Sequence, residues 1–466
     1  MWSSCIVRTF SAFLLFGLAP LSSRAAGQTW RYDANLVRAG RIEVEAWLPA
    51  SGSKVGLADG MTPFVEAMRI ERGGAWLPLA STDDGWRLPE CPTACHVRYA
   101  VDLAGAARAI GDAGIALSTG DAILSPPGSW LVHPDDEPPD RVRFRVLTTS
   151  ALHFVTGVAP ARDGASSTYE SRHFPSGTYT AFGRLEISTI EIAGAQIVIA
   201  TIRDGRSIDQ AVVRTAVANA ASAVARYYDG IPHRHLLVLV RAGRGRRAGR
   251  GTAIGEGGAA VMITIGEEAT AADLAADWQL THELVHLTFP SVARQHHWIE
   301  EGIATYVEPI ARVQAGTYPA ARMWRDLLDG LPKGEPGSGD RGLDRTHSWG
   351  RTYWGGALFC FVADVEIRRR THARFGLQDA LRAIAHAGGT IDEEWDLERA
   401  LKIGDAATGT HVLAELYAAM RNDPHPVALA PLFASLGVRS GGDSVVFNDA
   451  APEADIRCAI ERGAPK

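Results

Sequence analysis

The chain has 466 residues, 46% hydrophobic and 21% charged, which is an ordinary globular composition with length for two or three domains. A formal net charge of -6 gives no reason to expect nucleic acid as a partner. After the first 25 residues no stretch is apolar for long enough to span a bilayer, so no membrane span is expected and the mature chain should be soluble.

Residues 1–25 read as a secretory signal: Arg8 supplies the positive end, Phe10 to Leu21 the apolar run, and Ser23-Arg24-Ala25 a small-x-small cleavage site. Cys5 precedes the apolar run, so a lipoprotein cysteine is not indicated. In an oxidising compartment Cys91 and Cys95 could close a small disulfide loop, while Cys360 sits in an apolar helical run as packing. From 28 to about 202 the pattern is strands and turns. Arg41-Ile42-Glu43-Val44-Glu45-Ala46-Trp47-Leu48 alternates, as does the run from Arg141 to Leu147, and 184–201 reads as two strands joined at Ala193-Gly194. Residues 125–140 read as a Pro- and Asp-rich loop. Nothing in this region looks catalytic.

A helix is expected over 207–228 and a strand over 235–240. The five arginines in 241–250 alternate with Gly and Ala, which predicts a mobile, solvated loop that at most attracts acidic substrates. Another strand is expected over 258–266, directly before the segment on which the chain's chemistry centres.

That segment contains His282-Glu283-Leu284-Val285-His286, an H-E-x-x-H pattern. Leu274, Trp278, Thr281, Val285 and Phe289 recur at three- and four-residue steps, predicting one buried helical stripe that Pro290 ends. Residues four apart share a helix face, so both imidazoles can reach one ion while Glu283 faces a water on it. Metzincins are excluded, because Phe289 and Val292 stand where that class needs Gly and His. A second helix begins at Trp298, with Ile299, Ile303, Tyr306, Val307 and Ile310 as its apolar stripe. Glu301 and Glu308 lie on another face of it, and Glu301 completes a His-His-Glu zinc set with one position left for water. Glu308 either steadies a ligand imidazole, stays solvated or pairs with an arginine.

Trp298-Ile299-Glu300-Glu301-Gly302-Ile303-Ala304-Thr305-Tyr306 resembles the W-L-N-E-G-F-A-x-Y segment of the aminopeptidase N family and the W-x-x-E-G segment of the glycyl aminopeptidase family. Both are gluzincins, and the resemblance implies Glu301 as third zinc ligand, with Glu300 where Asn or Ser is usual. The connection from His286 to Glu301 is shorter than in aminopeptidase N. Tyr353-Trp354-Gly355-Gly356-Ala357 resembles the Y-x-K-G-A pattern of both families, which implies Tyr353 as the oxyanion donor, with Gly355 in the place of the Lys. The run Asp364 to Thr371 and then 377–384 is more similar to glycyl aminopeptidases. The resemblance further implies a strand at 258–266 that pairs with the substrate backbone at a sheet edge, and a bacterial periplasmic setting. Where aminopeptidase N relatives hold the free amine with G-x-M-E-N, this chain has Gly255-Glu256-Gly257-Gly258-Ala259. Glu256 is the candidate substitute, and exopeptidase specificity comes from the resemblance alone.

The sequence therefore predicts an α+β chain: signal peptide 1–25, a β-rich N-terminal domain 26–205, a thermolysin-like gluzincin catalytic domain 206–390, and a helical C-terminal region and tail 391–466. The expected function is that of a secreted or periplasmic zinc metallopeptidase, one zinc per chain, hydrolysing peptide or protein substrates in an aminopeptidase-like manner. His282, His286 and Glu301 are the expected ligands, Glu283 the general base and Tyr353 the oxyanion donor. Two other readings stand: an endopeptidase on the same site, and a zinc-bearing binding protein without turnover.

Overall fold

Period-two burial organises the first half of the chain. In Arg41–Leu48, Ile42, Val44, Ala46 and Leu48 are buried and their neighbours are not, as a strand with one face on a core requires. The computed structural model describes residues 29–463 except 39, 50–51, 83, 135–138, 140 and 443, so the expected signal lies outside the described residues. Arg41–Leu48 belongs to a seven-stranded sheet that runs, edge to edge, Thr168–Ser171, Val142–Leu147, Trp30–Arg38, Arg41–Leu48, Cys95–Asp102, Val65–Arg72 and Ala75–Pro78. A Cys91–Cys95 disulfide, with Cα atoms 5.4 Å apart, ties down the entry to the fifth of these. Cys360 and Cys458 are free, and Cys360 is buried as expected.

The sheet that carries the site has five strands, in the order Leu185–Ile192, Ala195–Ile202, His235–Gly243, Ala260–Gly266 and Ala248–Ile254. The hairpin Leu185–Ile202, read from sequence with the N-terminal strands, hydrogen-bonds into this sheet instead. The three inner strands are mutually parallel, and the helix Gln210–Tyr228 supplies one of the crossovers that parallel neighbours need. Both faces are covered. Val238, Val240, Val261, Ile263 and Ile265 pack with the helices, whereas Leu237, Leu239 and Ala260 pack with Ala122, Leu124 and Ala181 of a small N-terminal sheet. That double burial gives the inner strands their near-continuous apolar runs.

Two sequence expectations fail at this sheet. Ala260–Gly266 is an inner strand, hydrogen-bonded on both sides, not the edge. The edge is Ala248–Ile254, which takes up the end of the arginine-glycine run expected as a loop; the beginning of that run continues the strand His235–Gly243.

The helices pack on the sheet's other side. Gln279–His286 is shorter than the stripe suggested: it ends at His286, before Pro290, and Trp278 lies just outside it at 47% exposure. Leu280, Leu284 and Val285 are the residues that hold it to the sheet. Burying each stabilises the fold by roughly 1.5–3 kcal/mol. His297–Gln314 follows, with Ile299, Ile303, Tyr306, Val307 and Ile310 all buried, as predicted. Gly356–Thr371 crosses it, and Gly302 and Gly356 meet backbone to backbone with no space for a β-carbon on either. Ala454–Arg462 is a further helix, whose Ile460 carbonyl accepts from Gln314 at 3.0 Å.

Candidate active site

Three elements converge on one cleft of about 520 Å³: the helix Gln279–His286, the helix His297–Gln314 and the edge strand Ala248–Ile254. His282 and His286 project from the first on one face, with their Nε2 atoms 3.2 Å apart. Glu301 reaches them from the second: its Oε2 lies 3.2 Å from His282 Nε2 and 3.5 Å from His286 Nε2. One donor atom of each residue lies within 4.8 Å of the others, and this is the set among the described residues that can hold a metal ion. Two imidazole nitrogens and one carboxylate, opening on a cleft that leaves a fourth position free, fit zinc.

The electrostatics suit ligands. Burial lowers the His282 imidazole to a pKa of about 4, leaving it neutral. Burial works to raise the Glu301 carboxyl, but hydrogen bonds from His282, His286 and His297 override it and hold the group well below the usual carboxylate range. For His286, burial pulls downward and the Glu301 carboxylate prevails, so its pKa is raised. Burial raises Glu283, partly offset by His286 and by the Ala253 backbone N–H that bonds to it. A buried carboxylate with a raised pKa is a better base near neutral pH.

Glu300 and Glu301 part company in the structure. Glu300 turns away, accepting from the Val292 N–H at 3.2 Å and meeting His297 Nδ1 at 2.6 Å. His297 then touches Glu301 Oε1 with its Nε2 at 3.4 Å, so it steadies the oxygen that does not face the two histidines. Glu300 first and Glu301 second raise its pKa to about 10. Sequence reasoning missed His297, although its three- and four-residue spacing to Glu300 and Glu301 on one helix was a usable signal.

Tyr353 also arrives at the cleft. It lies in a π-helical turn, Gly350–Gly355, that leads into Gly356–Thr371, and such turns concentrate at functional sites. The turn is anchored by Arg351, buried against Asp340 with a 2.8 Å ion pair. The Tyr353 ring stacks on His282 with centroids 6.3 Å apart. Burial, and then the Glu301 carboxylate beside it, raise its hydroxyl to about 12, so it remains a proton-bearing donor. Glu308, by contrast, is buried away from the ligand set and bonds Arg312 at 2.5 Å, so the arginine pairing is the one realised. Glu256 lines the far end of the cleft in a left-handed conformation, φ 50°, and accepts from Ser176 at 3.0 Å.

Fold and site together place a His-His-Glu donor set in an α+β architecture with a β-rich N-terminal region and a helical C-terminal part. No protein-family model matches the sequence, and no curated protein matches it. Solved structures do share its fold. An aminopeptidase N family protein from Idiomarina loihiensis aligns with a TM-score of 0.64 at 14% identity, over 88% of this chain and 78% of its own. An M1 zinc metallopeptidase from Deinococcus radiodurans gives 0.52 at 14% identity, over 86% and 96%. A two-domain M1 zinc metallopeptidase variant bound to L-arginine gives 0.51, again at 14% identity and over 86% and 96%. The likeness covers the β-rich N-terminal region as well as the helical part, and it lies with the aminopeptidase N fold.

Proposed function

We propose that this chain is a zinc-dependent metallopeptidase that hydrolyses peptide bonds in an aminopeptidase-like manner. The observation that carries the reading is the meeting of His282, His286 and Glu301 with Glu283 and Tyr353 in one cleft beside an open strand edge. His282, His286 and Glu301 would hold a zinc ion, which would supply Lewis-acid polarisation of the carbonyl and acidify the attacking water. Glu283 takes the proton from that water and returns it to the leaving amine. Tyr353 donates to the oxygen on which charge grows. The free edge of Ala248–Ile254 offers backbone groups to an extended substrate.

The chain-end preference draws support from the neighbours, two of which were solved with single amino acids, L-arginine and L-tryptophan, bound. One observation favours the endopeptidase reading instead. The recognition strand carries Gly249-Arg250-Gly251-Thr252, with no carboxylate to hold a free amine, and Glu256 lies beyond its end. Paired peptides with free and acetylated N-termini separate the two readings, and the aminopeptidase reading requires the acetylated ones to resist. Glu283→Gln tests the peptidase reading itself: zinc and fold should persist while turnover falls about 10²–10⁴-fold. Full activity in that variant would overturn it.

The nearer likeness to glycyl aminopeptidases belongs to this proposal and rests on 364–371 and 377–384 alone. So does the extracytoplasmic setting, which the 1–25 signal pattern and the Cys91–Cys95 bond support together. N-terminal sequencing of the mature protein tests it, with a start after the Ser23-Arg24-Ala25 site expected.

A further inference from the structure

We propose that Arg250 selects substrates bearing a carboxylate close to the scissile bond. This rests on the peptidase reading above and names its substrate class. Arg250 is an exposed residue of the edge strand and lines the same cleft as Glu283 and Tyr353. Its neighbour Gly251 lies against Glu283, so with a strand rise of about 3.3 Å the Arg250 side chain leaves the strand one residue from Glu283.

The strand is irregular at this point. Ala248 pairs with Ile265 and Gly251 with Ile263, so three steps on the edge strand face two on its partner. The extra residue is a β-bulge that frees Gly249 and Arg250 from the ladder, and bulges beside active sites re-aim a side chain. The Arg250 charge reaches Glu283, whose carboxyl it pulls downward, but it is in no ion pair among the described residues. Nearby Arg246 is tied to Asp273 at 3.1 Å, whereas among the described residues no carboxylate pairs with Arg250. An incoming extended peptide therefore meets a guanidinium in no ion pair among the described residues, whose planar fork matches a carboxylate in a bidentate pair. That carboxylate is an Asp or Glu side chain flanking the bond, or the C-terminus of a short peptide.

The test uses the zinc-loaded full chain and two pairs of peptides. One pair differs by Glu against Gln beside the cleaved bond, the other by a C-terminal carboxylate against its carboxamide. The wild type should favour at least one carboxylate partner by about tenfold in kcat/KM, chiefly through KM, the factor one charge-assisted hydrogen bond supplies. Whichever pair shows the preference identifies the source. The ratio should fall towards one in Arg250→Gln, survive in part in Arg250→Lys, and invert in Arg250→Glu. A wild-type ratio near one in both pairs overturns the proposal. So does a ratio unchanged in Arg250→Gln, even with both rates reduced, since that means the arginine acts only on Glu283. If no peptide is cleaved, the peptidase reading fails. The same ratios, measured as Kd values of the fluorescently labelled pairs, then decide the carboxylate selection on their own.

Discussion

Glu283 packs against Gly251 so closely that a β-carbon built on the glycine would fall 2.5 Å from Glu283 Cγ. The edge strand thus does two things at once: it leaves one edge unpaired beside the cleft and forms the wall against which Glu283 sits. Gly251→Ala should push the Glu283 carboxylate aside while leaving His282, His286 and Glu301 alone. We expect unchanged zinc content with a loss of about 10²-fold in kcat/KM, the cost of misplacing a reacting group by about an ångström. Metal analysis beside steady-state kinetics checks this, and wild-type rates would show that the wall is slack.

Glu300 and Glu301 are adjacent and chemically identical, yet only Glu301 faces the two imidazoles. Glu301→Ala should strip or greatly weaken zinc binding, while Glu300→Ala should keep the metal. Equal zinc stoichiometry in the two purified variants would contradict the assignment.

Tyr353→Phe keeps the ring on His282 and deletes only the hydroxyl. Loss of one oxyanion donor should cost about 10²–10³ in rate, falling on kcat far more than on KM because the donor acts where charge develops. A change confined to KM would make Tyr353 a substrate-packing residue.

Glu308 should write a pH dependence into stability. Burial raises its carboxyl from the ordinary value of 4.5 to about 7, against the opposing pull of Arg312. The folded state therefore holds a proton between those values that the unfolded state releases. Its stabilising contribution is complete below about 4.5 and is lost as pH rises through about 7. Glu308→Gln removes the titration, so the variant should gain on the wild type as pH rises from about 5 to 8. Urea midpoints of both proteins in chelator, across that range, measure the difference; parallel curves would refute it.

The H-E-x-x-H pattern was legible because its spacing is local. His282, Glu283 and His286 need only a helix to fall into place, and helical periodicity is carried by the residues themselves. The same holds for the stripe of His297–Gln314, and for the alternation of Arg41–Leu48. Even the Glu308–Arg312 pair, four residues apart, was within reach of that logic.

The edge strand was not legible, for a physical reason. Sequence hydrophobicity reports burial, so the strand that looks most like a strand is the inner one, Ala260–Gly266, covered on both faces and paired on both sides. The strand that borders the cleft must keep one edge free and leave Glu283 room beside Gly251. It is therefore built of glycine, arginine and small residues and reads as a loop. Strand order is set by pairing between distant segments, which no local period encodes. The sequence by itself singled out His282, Glu283, His286 and Glu301. Only the tertiary structure decided that Tyr353 lines the same cleft as His282, Glu283 and Glu301 and that Ala248–Ile254 forms its wall, because each depends on how remote backbones approach one another.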